Sequence, residues 1–184
     1  MSIRLSLVQR AFPARLKLWM LDQLAQVTAD GFVAPAPDWP GRAFDERLAA
    51  YAAFTVRESE ALLAGGDAAV VAAARDRLWR GASELGAGVR RRLGLRRPEE
   101  ALAAWKLLYR QIGIEVEGDV RGEIRVTRCF FADHYTEGVC GLIAALDEGW
   151  ASGLFGGATL EFSERLTGGR PCCRAILRLE GGRG

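Results

Sequence analysis

The sequence predicts an α+β protein, with a helical N-terminal half packed on a small antiparallel sheet of two hairpins with a connecting helix. Two observations carry that prediction. From Phe12 to Ile112 apolar side chains recur at helical spacing, and beyond Gly113 the texture changes to apolar–polar alternation around glycine turns.

Each element follows from its own local signals. "FPARLKLWMLDQLAQVTADG" carries Leu16, Trp19, Met20, Leu24 and Val27 at helical spacing and ends before Asp30-Gly31. The link "VAPAPDWPG" is too rich in proline for a helix to cross. A long amphipathic helix follows in "RAFDERLAAYAAFTVRESEALLAGG", closed by Gly65-Gly66, and Asp67 stands where an N-cap starts a third helix. Gly81, Gly86 and Gly88 weaken that third helix, so a bend or break is expected there. After "LRRP" a fourth helix is expected from Glu99 to Ile112, with Leu102, Trp105, Leu108 and Tyr109 on one face. "IEVEGDVRGEIRVTRCFF" reads as two strands about a turn at 118–122. "GLIAALDEGWASGLFGG" reads as a helix of about three turns. "ATLEFSERLTGGRPCCRAILRLE" reads as a second hairpin turning at "TGGR". The chain divides into a helical region over 1–97, an α+β ligand-binding or catalytic module over 98–180 and a frayed tail over 181–184, all in one compact unit. The first four helices are expected over one face of the sheet, with a pocket between them and the strand carrying Cys129.

Composition narrows the function classes. Apolar residues make up 49% and charged residues 26%, as in an ordinary globular domain, and the formal net charge is only +2. The basic run "RRRLGLRRP" has no interleaved aromatics, so it reads as a solvated helix end and no nucleic-acid partner is expected. No window reaches the roughly 18 apolar residues of a membrane span, and Arg10, Arg15 and Lys17 interrupt the N-terminal apolar run that a signal peptide would need. Four cysteines in a chain this long do not make a disulfide scaffold, and adjacent Cys172 and Cys173 do not readily pair with each other. A reducing, cytoplasmic protein is expected, with free or metal-bound thiols and, on general grounds, a homodimer.

The stretch "TRCFFADHYTEGVC", Thr127 to Cys140, holds two of the four cysteines and the only histidine. Cys129 ends its strand, and Cys140 lies near a helix start, where the macrodipole favours a thiolate. On the last strand, Cys173 shares a face with Ala175, Leu177 and Leu179, while Cys172 sides with Arg174, Ile176 and Arg178. Cys129, Cys140 and one of the 172/173 pair would converge where strand end, helix start and second hairpin meet. Two readings stand: plain core packing, common for free cysteine, or a reactive or metal-binding cluster. The spacing matches no zinc template, with no Cys-x-x-Cys and no second histidine, so the cofactor expectation is either none or a single thiolate-bound zinc or iron. His134, flanked by Asp133 and Glu137, is a candidate base or ligand and equally a member of a solvated turn. Trp105, Tyr109, Phe130 and Tyr135 are candidate pocket walls, although aromatics at such spacing are also ordinary core residues.

Together, "VTRCFFADHYTEGVC", "LDEGWASGL" and "LEFSERLTGGRPCCRAIL" resemble the C-terminal module of the L-2-amino-thiazoline-4-carboxylic acid hydrolase family, itself related in shape to four-vinyl-reductase-type ligand domains. The resemblance spans Ile114 to Leu179. It matches Thr127, Arg128 and Cys129 to the family's "T-R-C" motif and Glu161 to its strand-opening acid. Asp147 corresponds to the helix acid, and Cys173 to the cysteine that follows the family's glycine. Arg170 and Arg174 replace acids of that pattern, and Ala175 replaces a phenylalanine, so the pocket is either enlarged or prepared for a carboxylate. The resemblance implies a hydrolase of the class that acts on non-peptide C–N bonds of the cyclic amidine or isothiourea type: ring opening of a small carboxylate-bearing heterocycle by attack on the carbon between nitrogen and sulfur, with a thiolate as the leaving group. Cys129, Cys140 or Cys173 would attack, or would hold a metal whose water attacks. His134 or Asp147 would move protons, and Arg128 and Arg174 would hold the carboxylate, with Thr127 and Glu161 beside them. The alternative is a sensor-like domain that binds a small molecule or metal without turning it over.

Overall fold

The computed structural model describes residues 13–39 and 43–180; the segment before Pro13, residues 40–42 of the proline-rich link and the tail from Gly181 lie outside them, with the readings made there. Five helices and four strands follow in the order α1 (Ala14–Phe32), α2 (Phe44–Ala64), α3 (Ala68–Leu93), α4 (Pro98–Gln111), β1 (Ile114–Gly118), β2 (Glu123–Cys129), α5 (Glu137–Phe155), β3 (Thr159–Glu164) and β4 (Cys173–Arg178). Short 3₁₀ turns follow β2 at Phe130–Asp133 and β3 at Leu166–Gly168. The α+β architecture, with helices first and an antiparallel sheet in the second half, is the one expected. Among the described residues, no helix is long and apolar enough to cross a membrane.

The helices begin where the chain supplies caps. Asp67 accepts hydrogen bonds from the N–H groups of Ala69 and Val70 at the start of α3, and Glu100 reaches back to Arg96 and Arg97 at the start of α4. Helix α5 starts four residues before the expected Gly141. Thr136 accepts from the N–H of Val139 and so closes an additional turn that includes Cys140.

The expected break in α3 is absent, and its glycines serve helix contact instead. A Cβ on Gly86 would collide with the carbonyl of Trp150 on α5. A Cβ on Gly149 or Gly153 would strike the carbonyls of Trp79 or Ser83 on α3. These glycines let the two helices touch backbone to backbone, which offsets their weak helix propensity. Arg75 ties the same pair together, donating to both carboxylate oxygens of Glu148 and to the carbonyl of Gly141.

All strand pairs are antiparallel in the order β1-β2-β4-β3, so the two hairpins join through β2 and β4. The register sets Ile124 beside Ala175 and Val126 beside Cys173. Alternation then sorts most of the sheet, with register shifts at Thr127 and Ser163 near the ends of β2 and β3. Ile114, Val116, Ile124, Val126, Leu160, Ala175 and Leu177 are buried, while the opposite face carries Arg125, Arg174, Arg178 and their acidic partners. The second hairpin does not turn tightly at "TGGR". Residues 165–172 form a longer connection in which the 3₁₀ turn carries Leu166 and Thr167 inward. One apolar cluster unites Leu21, Tyr51, Leu102 and Trp105 of the helical half with Ile124, Leu154 and Ala175 of the second half.

Candidate functional site

A recessed cavity of about 110 Å³ lies between the helices and the inner face of the sheet at the end bearing Cys129. Every helix reaches it, and α5 supplies its principal polar side chain, Asp147. Most of the wall is aliphatic or aromatic. Tyr51 and Tyr135 present their rings and turn their hydroxyls away, to Thr28 at 2.9 Å and Thr55 at 2.5 Å. Phe131 stacks on Tyr135 and meets Tyr51 edge-on, which locks the 3₁₀ turn after β2 against α2.

Asp147 is half-buried and lines this cavity. Burial pushes its pKa up to about 6, opposed by the hydrogen bond from Tyr109 and by the positive charge of Arg165. The Tyr109 hydroxyl donates to Asp147 Oδ1 at 2.7 Å. Burial and the neighbouring carboxylate hold that phenol far above its ordinary value, so it stays a neutral donor. Asp147 is therefore a carboxylate at neutral pH that takes up a proton under mildly acidic conditions.

Three thiols line the same cavity: Cys129, Cys140 and Cys173. Desolvation pushes Cys129 up to about 12, although its sulfur accepts from the N–H groups of Phe131 and Ala132. Cys173 is also raised by burial, and the N–H of Leu166 donates to its sulfur at 3.3 Å. Both are neutral thiols at rest, with backbone donors already aimed at the sulfur that would carry charge. They do not fit a metal centre. Among the described residues, no three His, Cys, Asp or Glu side chains gather as a metal-holding group. Cys172 is buried too, at 8% exposure, rather than displayed beside the arginines as its strand parity suggested; it precedes the first residue of β4.

The remaining expected site residues lie elsewhere. His134 is exposed, packs on Phe130 with ring centroids 4.8 Å apart, and faces a shallow groove along α2 beside Ala53 and Arg57. The 3₁₀ turn rotates it away from the thiols that flank it in sequence. Arg174 lies on the outer sheet face between Glu123 and Glu164, at 3.1 and 3.3 Å. Glu161 pairs with Arg178 on that face, and Thr127 is exposed. Arg128 is exposed beside Phe44 and Glu115. None of the five lines the cavity. Of the expected walls, Tyr109 and Tyr135 line it, whereas Trp105 packs behind Tyr109 and Phe130 borders an outside groove.

Four contributors carried no sequence signal of their own: Tyr51, Trp150, Thr167 and the nearby Arg165. The indole Nε1 of Trp150 and the hydroxyl of Thr167 are buried with no hydrogen-bond partner among the described residues. Unpaired buried donors of this kind are uncommon in folded proteins.

Comparison with known proteins returned no match: no family model, no curated protein and no solved structure resembles the chain closely enough to count.

Proposed function

We propose that the protein is a small-molecule hydrolase that opens a compact C–N/C–S heterocycle of the cyclic amidine or isothiourea type, as the resemblance to 2-aminothiazoline-carboxylate hydrolases implies. One observation supports this reading above the others: a half-buried carboxylate and three thiols line a single cavity scaled to one small ring. Cys129 gives its proton to Asp147 as its sulfur bonds to the ring carbon between nitrogen and sulfur. The ring C–S bond breaks, and the departing sulfur takes that proton back from Asp147. Water then adds to the same carbon, the bond to Cys129 breaks, and the enzyme sulfur recovers a proton from the water. One water is consumed and no electrons are exchanged. Asp147, raised to about 6, is matched to giving and taking a proton near neutrality, and the N–H groups at Cys129 stabilise the sulfur while it is charged.

A second reading, a binding or sensing domain without turnover, draws support from the neutral resting state of Cys129. Incubation with 2-amino-thiazoline-4-carboxylate and its carboxyl-free analogue, with free thiol followed chromogenically and the ring by mass spectrometry, separates the two. Ring opening lost in Cys129→Ala supports hydrolysis. Recovery of both rings unchanged, although they bind, sinks hydrolysis and leaves the binding domain.

A further inference from the structure

On the reading of this cavity as a small-molecule site, we infer that its ligand is a flat amidine-type ring without a carboxylate, seated with its N–H edge on Asp147. Two features converge on that class. First, the cavity wall contains no lysine, arginine or histidine, so nothing inside it would neutralise a ligand carboxylate. The arginines that might have done so, Arg128 and Arg174, are outside; Arg165 borders the cavity and its charge reaches Asp147, but it is not part of the wall and its guanidinium is placed over the ring of Phe162, 4.6 Å from its centre. A second carboxylate beside Asp147 would meet like charge in a desolvated space.

Second, Asp147 is only half engaged. Among the described residues the hydrogen bond to its carboxylate comes from Tyr109 to Oδ1, which leaves Oδ2 for an incoming donor. An amidine or guanidine edge supplies the donor and the compensating charge together, and charge-assisted pairs of this kind are the strong ones. The space limits the ligand to about one ring, since a cavity of roughly 150 Å³ is known to accept benzene.

The test is calorimetric titration of the full chain at neutral pH with three rings that contain no scissile C–S bond: 2-aminoimidazole, its 4-carboxylate and thiophene. Because none is hydrolysed, binding is read independently of turnover. The expected result is that 2-aminoimidazole binds at least ~10-fold more tightly than its carboxylate. Asp147→Asn, checked for an intact melting transition, weakens 2-aminoimidazole by roughly 10- to 100-fold and leaves thiophene unchanged. The inference is overturned if the carboxylate binds as tightly as its parent, or if Asp147→Asn leaves 2-aminoimidazole unaffected; thiophene binding would still uphold the cavity as a ligand site. If none of the three rings binds, the small-molecule reading itself falls and the inference with it. Should Asp147→Asn fail to fold, the comparison of ring with carboxylated ring on the native chain decides alone.

Discussion

The two faces of the sheet are built from alternate residues of the same strands, and they have opposite physical character. On β4, Cys173 and Ala175 point into the apolar interior, at 8% and 1% exposure, while Arg174 between them stands outside in ion pairs with Glu123 and Glu164. On β2 the same alternation turns Val126 inward and Arg125 outward, towards Glu117. The difference teaches that neighbours in a motif need not be neighbours in a site. Strict period two from Ile124 and Val126 would turn Arg128 inward and Cys129 outward, but the register slips at Thr127, where Glu115 pairs with Arg128 and Val116 with Val126, so Arg128 is exposed and Cys129 reaches the cavity. Only the inner face can host chemistry that needs desolvation, and only the outer face tolerates charge at little cost.

The largest way to break this division is to place a charge on the wrong side. Ala175→Asp puts a carboxylate, and extra volume, against the core at a position 1% exposed. The expected loss is about 3–5 kcal/mol of unfolding free energy, read by urea titration. The same substitution at Ile176, one residue along and 41% exposed, should cost less than about 1 kcal/mol. Equal losses at the two positions would mean that the faces are not distinct in the way the alternation indicates.

Asp147 sharpens the comparison because it is a charge already on the inner side. Its pKa is raised from 3.8 to about 6, so between those values the folded chain holds a proton that the unfolded chain has released. Stability contributed by this group is therefore full below the unfolded value and is lost as pH rises through about 6. Asp147→Asn should remove that loss. The stability gain of the variant, measured by urea titration across pH, should rise by on the order of 3 kcal/mol from below the unfolded value to neutral pH. A gain that is flat with pH would show that the carboxyl titrates as it does in the unfolded chain.

Much of this architecture was legible in the sequence, and the reasons it was or was not are local. Alternation in "CCRAILRL" identified Cys173 as the inward cysteine, and Asp67 announced α3 through a side chain that has few other uses at that position. The glycines of α3 misled because propensity is a property of an isolated helix, whereas their value here lies in α5 crossing without Cβ atoms between the two backbones. The site was half legible. Its thiols lie in one short stretch and on one strand, yet the Tyr109–Asp147 pair joins residues 38 apart on different helices, which no spacing rule reaches. His134 misled for the converse reason: it is close to the thiols in sequence, and a single 3₁₀ turn suffices to aim it outside.

That placement gives His134→Gln a small expected effect. The ring is exposed and its recorded contact is with Phe130, so stability should change by less than about 0.5 kcal/mol, read by urea titration. On the proposed function, the native chain and the variant should open the ring at the same rate at neutral pH. A slower rate in the variant would bring the histidine back as a proton carrier and require the 3₁₀ turn to rearrange.

The smallest effect belongs to the outer face itself. Arg174 makes two ion pairs while its side chain stays 48% exposed, so water and salt screen most of their attraction. Arg174→Ala should therefore cost no more than about 1 kcal/mol, read by urea titration at low salt, and about half of that should disappear on raising the ionic strength. Affinity for any ring that enters the cavity should be unchanged, because the guanidinium lies on the far side of the sheet from Asp147. A loss of ring affinity in this variant, with stability preserved, would mean that the outer arginine does reach a ligand. The division between the faces, as a rule for finding this protein's site, would then be wrong where it was expected to be safest.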